Sequence, residues 1–411
     1  MNPTQTIPAV APEVRSTDGS LVRSPHGSKA GSPRKPAVPL YAVLAVLAFC
    51  AFWTMLGSIV LPGAKVHDFL NLYAGASLAR DGVFAAMHVP EVQLHREQEY
   101  VPRIPELVPF VRPPFYALLL APLAWLPFGA AFWTWIGVQV TLLAGTWAWA
   151  FRRWGADALI FGAMYLPTAL GIAHGQDCVL ILAIVVGAYA LAHRGRHFLS
   201  GVILGAGLIK FHLFLLWPLA LLLQRRWRML AGACAAVAAE VLVSLALAGP
   251  SGMAKYFALL RMSDLRHLSP SPELMINLGG LALNLGIAST TASVLLTAVA
   301  AVLTIGACWR APLWRCIAAA SAGSLLVVPH VFGYDAGLLL AGLWLAMFES
   351  GTQPGARRAR IAATVLLTPI PFLVGLAGSP WAGATPLALL AFLASLAGMS
   401  PWLPANQERP L

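Results

Sequence analysis

The chain has 411 residues, 59% of them hydrophobic and only 10% charged, at a mean hydropathy of +0.74. So few charges cannot wet the surface of a soluble domain, which excludes a soluble enzyme and equally a soluble enzyme on a single anchor. The net charge of +11 would suggest nucleic acid in a soluble protein, but these charges fall between apolar runs, where they mark topology, and no nucleic-acid partner is expected.

Residues 1–36 hold six Pro, five Ser, three Gly and five basic residues, a composition expected to give a disordered basic cytoplasmic tail. The apolar run 38–61 starts too late and runs too long for a cleaved signal, so it is expected to stay as the first transmembrane helix of a domain spanning 37–402. Residues 62–129 follow as an outer loop. Its first part is polar, with Asp68, Asp81, Glu91, Glu97, Glu99 and Glu106, and its apolar stretch 113–127 is broken by Pro113, Pro114, Pro122 and Pro127 into an interfacial or re-entrant helix.

Beyond it, apolar runs recur at about 130–151, 156–173, 178–193, 198–210, 213–224, 229–248, 286–309, 313–329, 334–348, 360–378 and 384–402. With the first helix they predict an all-α polytopic bundle of about twelve transmembrane helices, closed by a cytoplasmic tail at 403–411. The two short runs flanking Lys210 are expected as half-helices meeting at an ion site, or as one bent pair. Assigning loops alternately places 18 of the 27 Lys and Arg on the N-terminal side of the membrane and nine on the other. That bias predicts both termini inside a bacterial-type plasma membrane, with the large polar loops and ten of the sixteen acids outside.

The chemistry is therefore expected on the outer face. Asp68 lies seven residues past the first apolar run, where partial desolvation makes a carboxylate a better general base; a helix-capping Asp is the plainer alternative. Arg112 precedes the Pro113–Pro114 pair, Lys210 interrupts GLIKFHLFLLWP, and His174, His212 and His330 stand at expected outer helix ends. An intramembrane Lys is costly without an anionic partner, and lipid phosphate is the most available anion in a bilayer, although Lys210 could instead snorkel. His174, Gly175, Gln176 and Asp177 form one polar connection and His330, Gly333, Tyr334 and Asp335 another, both expected to face outward. Glu240, mid-span, is expected as hydrogen-bonded structure.

The five cysteines, Cys50, Cys178, Cys234, Cys308 and Cys316, show no CxxC spacing and are expected to pack as small apolar residues. No GxxxxGK[ST], HExxH, DxD or GxSxG motif occurs, so neither ATP use nor a metal or other cofactor is expected.

Five segments, HDFLNLYAGASLARDG (67–82), RPPFYALLLAPLAWLPFGAAFWTW (112–135), GQDCVLILAIVVGA (175–188), GRHFLSGVILGAGLIKFHLFLLWPLALLLQRRWR (195–228) and PHVFGYDAGLLL (329–340), together resemble the polytopic glycosyltransferases of the GT-C fold. The resemblance is strongest to glycosyltransferase family 87, the polyprenyl-phosphate-mannose-dependent mannosyltransferases. It implies a GT-C-like bundle whose first outer loop carries the catalytic acid, here Asp68. It implies donor-phosphate contacts from later basic positions, Lys210 first, with Arg112, His212 and His330 as further candidates. His174, Gln176, Asp177, Tyr334 and Asp335 become candidates for sugar or acceptor contacts; the family often carries Asn where this chain has Asp177.

The expected function is an inverting, metal-independent hexosyl transfer, mannose being the best guess, from a polyprenyl-phosphate donor to a hydroxyl of a glycolipid or glycan acceptor, all at the membrane lipid boundary. A transporter or flippase of an anionic lipid or lipid-linked sugar is the rival, since it would use the same buried Lys and short half-helices without Asp68 as base. A structural membrane scaffold would tolerate loss of the outer acids and bases.

Overall fold

A computed structural model describes residues 50, 68–104, 106–263, 271–287 and 290–399. The expected tails at 1–36 and 403–411 lie outside these residues, as does the first transmembrane run apart from residue 50. Every regular element among the described residues is helical.

Helix α1 covers 68–80, and α2 runs Pro90–Tyr100. The Pro113–Pro114 pair starts α3, Pro114–Leu120, because proline's fixed φ suits a first helical turn. A 3-10 turn, Ala121–Trp125, leads to α4, Phe128–Trp154, which ends in Arg152 and Arg153. Helices α5, Ala156–Met164, and α6, Leu166–Ala173, are bent 55° apart at Tyr165, next to Pro167.

Next come α7, Cys178–His193, and α8, His197–Gly205; a 3-10 segment Ala206–Phe214 then leads to α9, Trp217–Leu223. Helix α10, Trp227–Ser263, is broken at Gly249 (φ +67) and Pro250. It packs closely on α8: a Cβ on Gly201 would lie 1.9 Å from the Met229 oxygen, and one on Gly232 2.0 Å from that of Phe198. Small residues let apolar helices approach where no hydrophobic force separates lipid from protein.

Helices α11, Leu278–Asn284, α12, Thr290–Cys308, and α13, Leu313–Val327, lead to a 3-10 turn, Gly333–Leu338, and α14, Leu339–Phe348. The chain closes with α15, Ala356–Leu367, α16, Ile370–Gly375, and α17, Ala384–Ala397. Helices α13 and α14 form the center: nearly every residue of both is buried, including Trp344 at 0% exposure.

This is a helical membrane protein, but its apolar runs do not translate one for one into long helices. Among the described residues four helices are long and apolar enough to cross a membrane, five if the bent pair α5–α6 counts as one span. The other runs are carried by shorter or interrupted helices. Pro167, Pro218, Pro250, Pro371 and Pro380 stand in or beside the breaks, and proline removes the backbone donor that would continue a helix. Glu240 differs from its expectation: its Oε2 is buried with no hydrogen-bond partner among the described residues.

Candidate active site

The site begins at the end of α6. Gly175 adopts φ +68, Gly175 N–H donates to Ile172 O at 2.9 Å, and Gln176 N–H donates to Gly171 O at 2.9 Å. That pattern closes a helix through a left-handed residue, a conformation glycine reaches without cost. It turns the chain so that Gln176 and Asp177 stand at the start of α7. Trp135 on α4 fixes the turn by donating its Nε1–H to Gly175 O at 2.8 Å.

Asp177 is fully buried and does not cap α7. Instead it accepts from Arg112, Nε to Oδ2 at 2.9 Å and Nη2 to Oδ1 at 3.2 Å, and its Oδ1 lies 3.1 Å from Lys210 Nζ. Lys210 in turn donates to Asp335 Oδ1 at 2.5 Å, while Asp335 Oδ2 accepts from Phe332 N–H at 3.0 Å and so closes the 3-10 turn onto itself. Lys210 departs from helical geometry, φ −135° and ψ 55°, inside the 3-10 segment, which aims its side chain inward. Four buried charges thus form one chain, Arg112–Asp177–Lys210–Asp335, with two cations against two anions.

That balance is what permits burial, since a lone ion in low dielectric costs several kcal/mol. Burial alone would raise the Asp177 carboxyl, but Arg112 and Lys210 outweigh it and hold the group well below the usual carboxylate range. Arg112 responds reciprocally: burial works against its charge, and Asp177 more than restores it.

Beside this buried chain lie half-buried groups. Asp68, on α1, accepts from Gln176 Nε2 at 3.1 Å, which joins the α1 carboxylate to the same turn that holds Asp177. The Tyr334 ring sits 5.5 Å from Lys210 Nζ and 5.6 Å from the His174 ring. His174 Nδ1 is held by Leu170 O at 2.9 Å. His212 lies within the electrostatic reach of Asp335, Lys210, Arg112 and His330. His330 stacks edge-on with Phe332, and Asn277 braces its segment by donating to Val328 O at 2.7 Å and Pro329 O at 3.0 Å.

All ten candidate residues therefore fall in one neighborhood. Five of them, Arg112, Gln176, Asp177, Lys210 and Asp335, are buried; Asp68, His174, His212, His330 and Tyr334 are partly accessible. Asp177 and Asp335, expected as contacts to sugar or acceptor, are engaged by the buried cations Arg112 and Lys210. Sequence reasoning did not single out Trp135 or Asn277. Their signal, a polar side chain beside a glycine or proline turn, is common in any chain.

Such an arrangement offers a half-buried carboxylate beside fixed N–H donors. Lys210 carries three N–H donors and Arg112 five, and the contacts above engage two on each. A carboxylate can take a proton from a hydroxyl, and the remaining donors can receive an anionic oxygen.

The family model for glycosyltransferase family 87 matches residues 110–340, more than half of the chain. A polyprenol-phosphate-mannose-dependent alpha-(1-2)-phosphatidylinositol pentamannoside mannosyltransferase of Mycolicibacterium smegmatis is 32% identical over 258 residues, which cover 59% of this chain and 57% of that relative. No solved structure matches the chain. The matched region carries the whole chain of buried charge, from Arg112 to Asp335, while Asp68 lies before it and is joined to it through Gln176. The chain belongs to glycosyltransferase family 87.

Proposed function

We propose that the protein is an inverting hexosyltransferase, moving mannose from a polyprenyl-phosphate donor to a hydroxyl of a glycolipid or glycan acceptor. The observation that carries this function is the contact between Asp68 and Gln176, one residue from the buried charges. It joins the Asp68 carboxylate of α1 to the turn whose Asp177 holds Arg112 and Lys210, which supports a base beside anion-binding donors. The name of the M. smegmatis relative, with its polyprenol-phosphate-mannose donor and phosphatidylinositol-linked acceptor, supports the same substrate classes. Family membership favors transfer over a transporter or flippase.

In this account Asp68 takes the proton from the acceptor hydroxyl as that oxygen bonds to the anomeric carbon. The bond from that carbon to the phosphate oxygen breaks, and polyprenyl phosphate leaves with its electron pair. Lys210 and Arg112 meet the charge that develops there, held ready by Asp177 and Asp335, so that no donor has to reorient during the step. His212 and His330 stand as further contacts to the phosphate, and His174, Gln176 and Tyr334 as contacts to sugar or acceptor. Asp177 and Asp335 act through the cations they hold rather than on sugar directly. A lipid monophosphate leaving group gains only about one charge, within reach of fixed cations without a metal.

The recurring apolar runs support a twelve-pass arrangement, and the Lys and Arg bias supports a site on the outer face of the plasma membrane. Purified protein supplied with radiolabelled polyprenyl-phosphate-mannose and a membrane extract tests the activity. Label transferred to an acceptor upholds it, whereas label that crosses the bilayer still attached to its lipid would replace it with transport.

A further inference from the structure

Tyr116 carries a polar atom to which the site described above gives no role. The Pro113–Pro114 pair starts α3 immediately after Arg112, and Tyr116 N–H donates to Pro113 O at 3.0 Å, so one rigid corner holds both residues. The tyrosine is buried at 2% exposure, yet its hydroxyl has no hydrogen-bond partner among the described residues. A buried hydroxyl without a partner costs stability, and such groups persist where function requires them. The charges acting on that oxygen are those of Asp177 and Arg112.

The surroundings narrow what the hydroxyl can bind. Both oxygens of Asp177 already accept from Arg112, and one also faces Lys210. The next backbone donor, Phe115 N–H, is taken by Ser244 Oγ at 3.2 Å. Behind Arg112, His88 Nε2 bonds the Arg112 carbonyl at 2.9 Å and its ring packs 4.8 Å from that of Tyr256, which also feels the Arg112 charge. The Arg112 backbone is thus held from behind and its guanidinium by Asp177, with the neutral Tyr116 hydroxyl within electrostatic reach of that guanidinium. A phosphate oxygen, which only accepts, complements that pair, and a neutral hydroxyl adds a donor without upsetting the two-against-two charge balance.

We propose that Tyr116 is a phosphate-binding residue whose hydroxyl donates to an oxygen of the polyprenyl-phosphate group received at Arg112. This assignment rests on the donor class proposed above. Tyr116→Phe removes one oxygen and keeps the shape of the ring, so two readouts separate binding from structure. The thermal unfolding midpoint is expected to stay or rise, because an unpartnered buried hydroxyl has been deleted. The KM for polyprenyl-phosphate-mannose is expected to rise about tenfold while kcat changes less, as for a contact made equally in ground and transition states.

Direct binding of unlabelled polyprenyl phosphate and of inorganic phosphate, measured without turnover, identifies the source of the phosphate. About tenfold weakening of either probe upholds the assignment, and weakening of both shows that the phosphate group alone is recognized. A lower unfolding midpoint with both affinities unchanged would overturn it, making the hydroxyl a structural group. Failure of the wild type to transfer sugar would sink the proposed activity, yet the binding comparison would still decide the role of Tyr116.

Discussion

Arg112 and Lys210 are 7% and 3% exposed and each faces a carboxylate that is 3% exposed or less. At helix ends elsewhere in the chain stand Arg152, Arg194, Arg196, Arg225, Arg310 and Arg357, all exposed. Arg153 is an intermediate case, paired with Glu349 at 2.7 Å with both side chains about a quarter exposed. Arg315 is the exception, buried at 1%. The same residue type therefore serves two purposes. At the far end it is exposed, at little cost; at the site end it is held in low dielectric by acids brought from elements 65 and 125 residues away.

The sharpest way to break this contrast is to remove a buried cation. Lys210→Met leaves Asp177 and Asp335 sharing a dry space without the charge between them, and thermal unfolding in detergent is expected to show a loss of about 3–5 kcal/mol. Survival of the variant at wild-type stability would mean that the site end is no more demanding than the far end. A double-mutant cycle between Lys210→Met and Asp335→Leu refines the comparison. Because the two groups bond directly, the cycle should return a coupling of about 1–3 kcal/mol, and additivity would deny that the pair is one unit.

Helix α2 offers a pH test. Glu97 on α2 accepts from Val108 N–H at 3.1 Å, and burial raises its carboxyl to about 7 from an ordinary value of 4.5. Between those two values the folded chain keeps a proton that the unfolded chain has released, so this group's contribution to stability falls as pH rises from 4.5 through about 7. Glu97→Gln should flatten that slope in unfolding midpoints measured across the window. The smallest effect belongs to the far end, where Arg194→Ala or Arg196→Ala should change stability by no more than about 0.5 kcal/mol in the same assay.

Much of the site was legible because membrane helices make polar residues conspicuous. Asp68, Lys210, and the turns 174–177 and 330–335 stand out against apolar runs, and all of them converge. What sequence could not supply was the pairing. Nothing local tells Arg112 to find Asp177 rather than a ligand, because the match is made by the packing of α3, α6 and α7. Span lengths were obscured for a related reason. A run such as 198–224 reads as two apolar segments around a lysine, but α8 gives way to 3-10 geometry at Ala206, and Lys210 leaves the helix to reach its acids. Tyr116 gave no signal, since a tyrosine in an apolar stretch is ordinary until its hydroxyl is found without a partner.

The central claim is that Asp68 is the base, joined through Gln176 to the buried charges. It is tested most directly by single-turnover transfer of radiolabelled mannose from polyprenyl-phosphate-mannose, comparing wild type with Asp68→Asn at saturating donor. The account predicts a rate reduced by about 10²–10⁴-fold with donor binding and unfolding midpoint preserved; a rate within about twofold of wild type would contradict it.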